Sequence, residues 1–116
     1  MAADQEPTSR IRELNDAMRT GGPTLPSHNR WVLTQGVLAL GADSVESVVD
    51  SIKAFADFSA DNDPYGEHDF GSVRIGDANV FWKIDYYDRS LAEGSPDPAD
   101  EAVTCRVLTI MLASEY

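Results

Sequence analysis

"DFGSVRIGDANVFWKIDYYD", Asp69 to Asp88, decides how this chain folds. It holds two β-prone runs joined by Gly76-Asp77, a two-residue connection with glycine first. Glycine tolerates the positive φ that a type II′ hairpin turn needs at that position. The spacing predicts one strand over Phe70–Ile75 and a second over Ala78–Tyr87. In the second strand Val80, Trp82, Ile84 and Tyr86 alternate with Phe81, Lys83, Asp85 and Tyr87. A period of two sends the first set toward a core and the half-polar second set outward.

Upstream, Val45, Val48, Val49, Ile52, Phe55 and Ala56 recur at helical spacing, with Asp43 expected as N-cap and Glu46 closing a capping box. This helix should lie on the sheet. Further upstream, Ile11, Leu14 and Met18 form one apolar stripe of a first helix. Thr8 or Ser9 is its expected N-cap, and Gly21–Gly22 with Pro23 its stop. Trp31 to Thr34 has the β-branched and aromatic character of a short strand, broken by Gly36. Downstream, Asp97-Pro98 is expected to open one helical turn. Val103, Thr104, Val107, Thr109 and Ile110 favour a strand with two apolar faces, as in the centre of a sheet. The elements add up to an α+β domain over residues 8–116 behind a frayed 1–7 segment. Its expected architecture is a mostly antiparallel sheet of about four strands with two helices on one face. An apolar strand with few covering helices is compatible with a monomer or a homodimer.

Twenty acids against nine bases give a net charge of −11 in 116 residues. Residues 57–101 hold twelve acids and three bases, or −9 of that total. Phosphate neutralisation requires a basic surface, so direct nucleic-acid binding is disfavoured and a basic partner favoured. No apolar run approaches the ~20 residues of a membrane span. The lone cysteine, Cys105, has no disulfide partner in the chain, which points to a reducing cytoplasm.

Catalytic and metal signatures are weak. Counting from Asp61, just before "NDPYGEHDFG" (Asn62 to Gly71), the residues Asp61, Asp63 and Gly66 match the first, third and sixth places of a calcium loop. Ser72 stands where the bidentate glutamate is required. Glu67, His68 and Asp69 are consecutive, and neighbours on an extended segment do not share one ion. No nucleophile elbow or phosphate loop is present. No catalytic residue, metal or cofactor is therefore assigned. A hydrolase centred on His68, Asp69, Asp85 and Asp88 is the enzymatic alternative, and an antitoxin-like or housekeeping partner the plain one. The favoured reading is a non-enzymatic binding face. Asp61, Asp63, Glu67, Asp69, Asp85, Asp88, Asp97, Asp100 and Glu101 supply its charge, and Tyr65 and Tyr87 its ring anchors.

"NDPYGEHDFG", "FWKIDYYD", "GSPDPAD" and "RVLTIMLASEY", with "IRELNDAMR" and "LTQGV", resemble a family of small bacterial proteins known as a domain of unknown function. The resemblance spans Ile11 to Tyr116. It implies no activity and no catalytic residues, and it suggests a plasmid or mobile-element setting. Size, charge and that setting are similar to those of anti-CRISPR inhibitors. By that analogy the expected partner is a basic, nucleic-acid-handling surface, such as that of a CRISPR surveillance complex.

Overall fold

A computed structural model describes residues 7–116. The strand expected near the C-terminus, β4 (Cys105–Leu112), lies inside a four-stranded sheet. It runs beside the edge strand β1 (Arg30–Leu33) and the long hairpin arm β3 (Ala78–Tyr87). The other hairpin arm, β2 (Phe70–Ile75), is the opposite edge. Both hairpin arms have the bounds that the alternation predicts, and Gly76 takes φ 59° at the turn. The β2–β3 and β3–β4 pairings are antiparallel. The β1–β4 pairing is parallel, so the sheet is mixed.

Three helices precede the hairpin, one more than the two expected: α1 (Pro7–Gly21), α2 (Gln35–Leu38) and α3 (Ala42–Lys53). All three pack on one face of the sheet. Met18, Val37, Val48 and Ile52 meet Val80, Trp82, Ile84, Leu108 and Ile110 in one core. Alternate residues of one strand point to opposite faces, so this single set fixes which side is covered. Gly71 lies against the core tryptophan. A Cβ there would sit 2.5 Å from Trp82 Nε1 and 2.8 Å from Phe55 Cε1, so only glycine lets the edge strand approach.

Several local expectations need correction. Helix α1 already includes Pro7, so Thr8 and Ser9 lie within it, and its cap position falls outside the described residues. Proline suits the first helical turn, where its missing N–H costs nothing. Of the expected frayed segment 1–7, Pro7 is helical and residues 1–6 lie outside the described residues. Thr34 leaves β1 and caps α2, its hydroxyl accepting from Val37 N. The N-cap of α3 is Gly41 at φ 99°, and Asp43 sits in the first turn beside the helix's positive end. That helix ends at Lys53, and Phe55 continues the packing as an edge-on contact with Trp82, centroids 5.5 Å apart. Asp97 caps a turn by accepting from Ala99 N. The short 3-10 turn comes later, at Glu101–Val103, with Asp100 as its cap.

Candidate functional site

The acidic loops flank the same end of the sheet, one reaching Tyr86 and the other Arg106. Loop 57–69 carries Asp57, Asp61, Asp63, Glu67 and Asp69, with no lysine or arginine. Loop 88–101 carries Asp88, Glu93, Asp97, Asp100 and Glu101 against Arg89. Ten acids and one base make −9, while residues 70–87 are neutral, with Asp77 and Asp85 against Arg74 and Lys83. The hairpin is thus a neutral spacer, and the excess charge lies in the loops on either side of it. The chain places both loops where β3 ends. Asp69 O accepts from Ile84 N, alongside the last residues of β3, and loop 88–101 follows directly from Tyr87.

A buried polar knot ties the first loop to the helix and the sheet. Arg106 is 1% exposed, and its Nε donates to Asn15 Oδ1 at 2.7 Å. Asn15, fully buried on α1, donates through Nδ2 to Glu67 O at 2.9 Å and to Tyr86 Oη at 2.8 Å. The Tyr86 hydroxyl in turn donates to Glu67 Oε1 at 2.7 Å. Arg106 also donates to Pro98 O of the second loop, and its guanidinium lies 5.2 Å over the Tyr86 ring. Arg106 thus holds the second loop directly and the first through Asn15. Burial lowers the Arg106 pKa, and the charges of Glu101 and Glu67, one from each loop, oppose that shift. Burial raises the Tyr86 pKa far above its ordinary value, helped by the bond to Glu67, so the phenol stays a donor.

A second contact seats His68. Its Nδ1 lies 2.9 Å from Asp16 of α1, its Nε2 lies 3.5 Å from Asp63, and its ring stacks on Phe58 with centroids 3.7 Å apart. His68 takes φ 55°, a left-handed conformation uncommon outside glycine, and its N–H donates to Asp63 Oδ1. Neighbouring Arg19 is buried, with Nη1 on the carbonyls of Ile52 and Phe55 at the C-terminal end of α3. A cation suits the negative end of a helix. Arg19 also contacts Asp16 at 3.0 Å and lies 5.4 Å from the ring centroids of both Phe58 and Trp82.

This geometry separates the expected site residues into groups. Tyr65 is the most accessible ring, 80% exposed, and Asp61, Asp97, Asp100 and Glu101 are exposed on the two loops. Three of the loop carboxylates are also held in place. Asp88 Oδ1 accepts from Ala92 N and Ser90 Oγ, which lowers its pKa, while Asp97 and Asp100 accept from Ala99 N and Ala102 N. Asp63 and Glu67 are occupied with His68 and Tyr86. Asp69 is half-buried, and burial followed by the charges of Glu67, Asp63 and Asp85 raises its pKa. Asp85 and Tyr87 project from the outer face of β3, and Asp85 pairs with Lys83 at 3.0 Å.

The hydrolase alternative gains no assembled centre. His68 faces Asp16 and Asp63, whereas Asp85 and Asp88 engage Lys83 and the Ser90–Ala92 turn. Among the described residues, no group of three or more His, Cys, Asp or Glu side chains is placed to hold a metal ion. No described helix is long and apolar enough to cross a membrane. Asn15, Asp16 and Arg106 are the structurally decisive polar residues that pattern reading passed over. A polar residue at i+4 from Ile11 and i−3 from Met18, and one charge inside "VTCRVLTIML", were the available signals.

A family model described as a protein of unknown function, DUF3768, matches residues 33–115, most of the chain. The chain belongs to this family. The match begins at Leu33, so the resemblance is shorter than the Ile11 to Tyr116 expected, and α1 lies outside it. No curated protein and no solved structure matches the chain.

Proposed function

We propose that this protein is a non-enzymatic binding module whose acidic end docks on a basic, nucleic-acid-handling surface of another protein. The observation that carries this reading is the segregation of charge: −9 in two loops at one end of the sheet, and a neutral hairpin between them. Clustered like charge raises the local potential and speeds encounter with an opposite surface. Carboxylates held by backbone N–H groups, as at Asp88, Asp97 and Asp100, are ordered before binding, so less entropy is lost on docking. Arginine forks take carboxylates in the same bidentate way as phosphates, which lets such a surface stand in for a nucleic acid. Tyr65 and the loop acids are the expected contacts. A CRISPR surveillance complex is one partner of this class, and Cys105, buried and unpaired, accords with a cytoplasmic setting.

The test uses a variant that removes charge and keeps geometry. Asp88→Asn, Asp97→Asn and Asp100→Asn each retain a side-chain oxygen for the turn they cap. Proteins retained from host lysate by the native chain at low salt should be basic nucleic-acid-binding proteins, and the triple variant should lose them. Retention of acidic partners, or equal retention by the folded triple variant, would overturn the proposal.

A further inference from the structure

We propose that the helix-free face of the sheet is the contact surface of a two-fold homodimer centred on β3. All three helices cover the other face, so β3 presents Phe81, Lys83, Asp85 and Tyr87 on the open side. That order is ring, base, acid, ring. Reversed, it becomes ring, acid, base, ring, which is the complement of the original. A two-fold contact requires residue i to meet residue j and residue j to meet i, and this strand meets that demand by itself.

The geometry follows from the register. A two-fold axis lying between the stacked sheets, across the strands at the level of Ile84, sets the two β3 strands antiparallel. Lys83 then stands opposite the partner's Asp85, and Asp85 opposite the partner's Lys83. Phe81 stands opposite the partner's Tyr87. Ile84 pairs with Leu108, so Val107 of β4 meets the partner's Thr109 across the same axis. Stacked sheets lie about 10 Å apart with strand directions within about 30°, a spacing these side chains span.

Charge selects this face. On a molecule of −11, the open face carries Arg30, Arg74 and Lys83 against Asp85, because Arg30 and Arg74 share its side by register with Val107 and Asn79. Two copies therefore approach where their mutual repulsion is least, with the acidic loops left at the ends. Lys83 and Asp85 are each 39% exposed and already 3.0 Å apart, so both reach an opposing surface. Phe70 and Tyr116 ring the contact beside Phe81, with centroids 5.3 and 5.6 Å from it.

Sedimentation equilibrium of the full chain across a wide concentration range tests this. The native chain should fit a monomer–dimer equilibrium. Lys83→Glu and Asp85→Lys should each weaken dimerisation by at least about tenfold, since each sets like charges face to face. The two variants mixed should re-form dimers, because all-acidic then meets all-basic. An internal Lys83–Asp85 role alone does not restore them. Circular dichroism shows that each variant is folded before it is scored. A native chain that stays monomeric, forms open-ended assemblies, or dimerises regardless of the reversals would overturn the proposal, as would folded variants that fail to re-associate when mixed.

Discussion

Asn15 Oδ1 accepts a 2.7 Å hydrogen bond from Nε of Arg106, and this pair, buried between α1 and β4, anchors both acidic loops. Asn15 spends its remaining donor on Glu67 and Tyr86, and Arg106 reaches Pro98. Truncating Asn15 leaves the buried Nε of Arg106 and the carbonyl of Glu67 without their partner. Asn15→Ala should therefore cost about 3 kcal/mol or more in denaturant unfolding. Replacing both residues with apolar ones, Asn15→Leu with Arg106→Met, should cost clearly less than the sum of the single changes, because no charge then remains to be satisfied.

Gly71 is fixed by the indole it faces. The Cβ of an alanine would lie 2.5 Å from Trp82 Nε1, and Trp82 is fully buried in the core. Gly71→Ala should destabilise the fold by about 1–3 kcal/mol, measured by chemical denaturation. Gly76, whose Cβ position is open, should suffer only from its positive φ.

Tyr86 should show itself at alkaline pH. Its folded pKa is raised, with burial the larger cause and the bond to Glu67 the next. Above the ordinary phenol range the unfolded chain gives up this proton while the folded chain keeps it. Stability must then fall as pH rises through that range. Of the four tyrosines, one should ionise only together with unfolding in an absorbance titration. That late step should vanish in Tyr86→Phe, which at neutral pH should lose about 1–2 kcal/mol from the broken Asn15 and Glu67 bonds.

Asp69 has the opposite sign from a paired carboxylate. Burial and the nearby Glu67 raise its folded pKa above 3.8, so ionising it costs more folded than unfolded. The cost is absent below the unfolded pKa and fully present above the folded one. Asp69→Asn should accordingly raise the melting temperature at neutral pH, and the gain should disappear as pH falls through the carboxylate range.

The sheet was largely legible because its signals are local. Strict alternation around a glycine-first turn gave the hairpin bounds, and β-branched residues marked β4. The one parallel pairing, β1 with β4, joins segments more than seventy residues apart, and no short-range pattern encodes it. Helix α2 was missed because four residues carry no periodicity, although Thr34 held its cap. Asp43 looked like a cap by type, but Gly41 supplies the backbone conformation that opens α3. Within the site, composition located the acids correctly and left their duties hidden. Asp88, Asp97 and Asp100 are turn caps, and Asp63 and Glu67 fasten a loop. The orientation of His68 toward Asp16 depends on where α1 docks, which no spacing within "NDPYGEHDFG" reveals.

In the proposed function, the charge of the two loops drives docking on a basic surface. Its most direct test is the salt dependence of affinity between the captured host partner and this chain, native against Asp88→Asn/Asp97→Asn/Asp100→Asn. Screening weakens attraction between exposed charges, so the native dissociation constant should rise steeply with salt and the variant's only shallowly, from a weaker starting value. Equal affinities with equal salt dependence would contradict it.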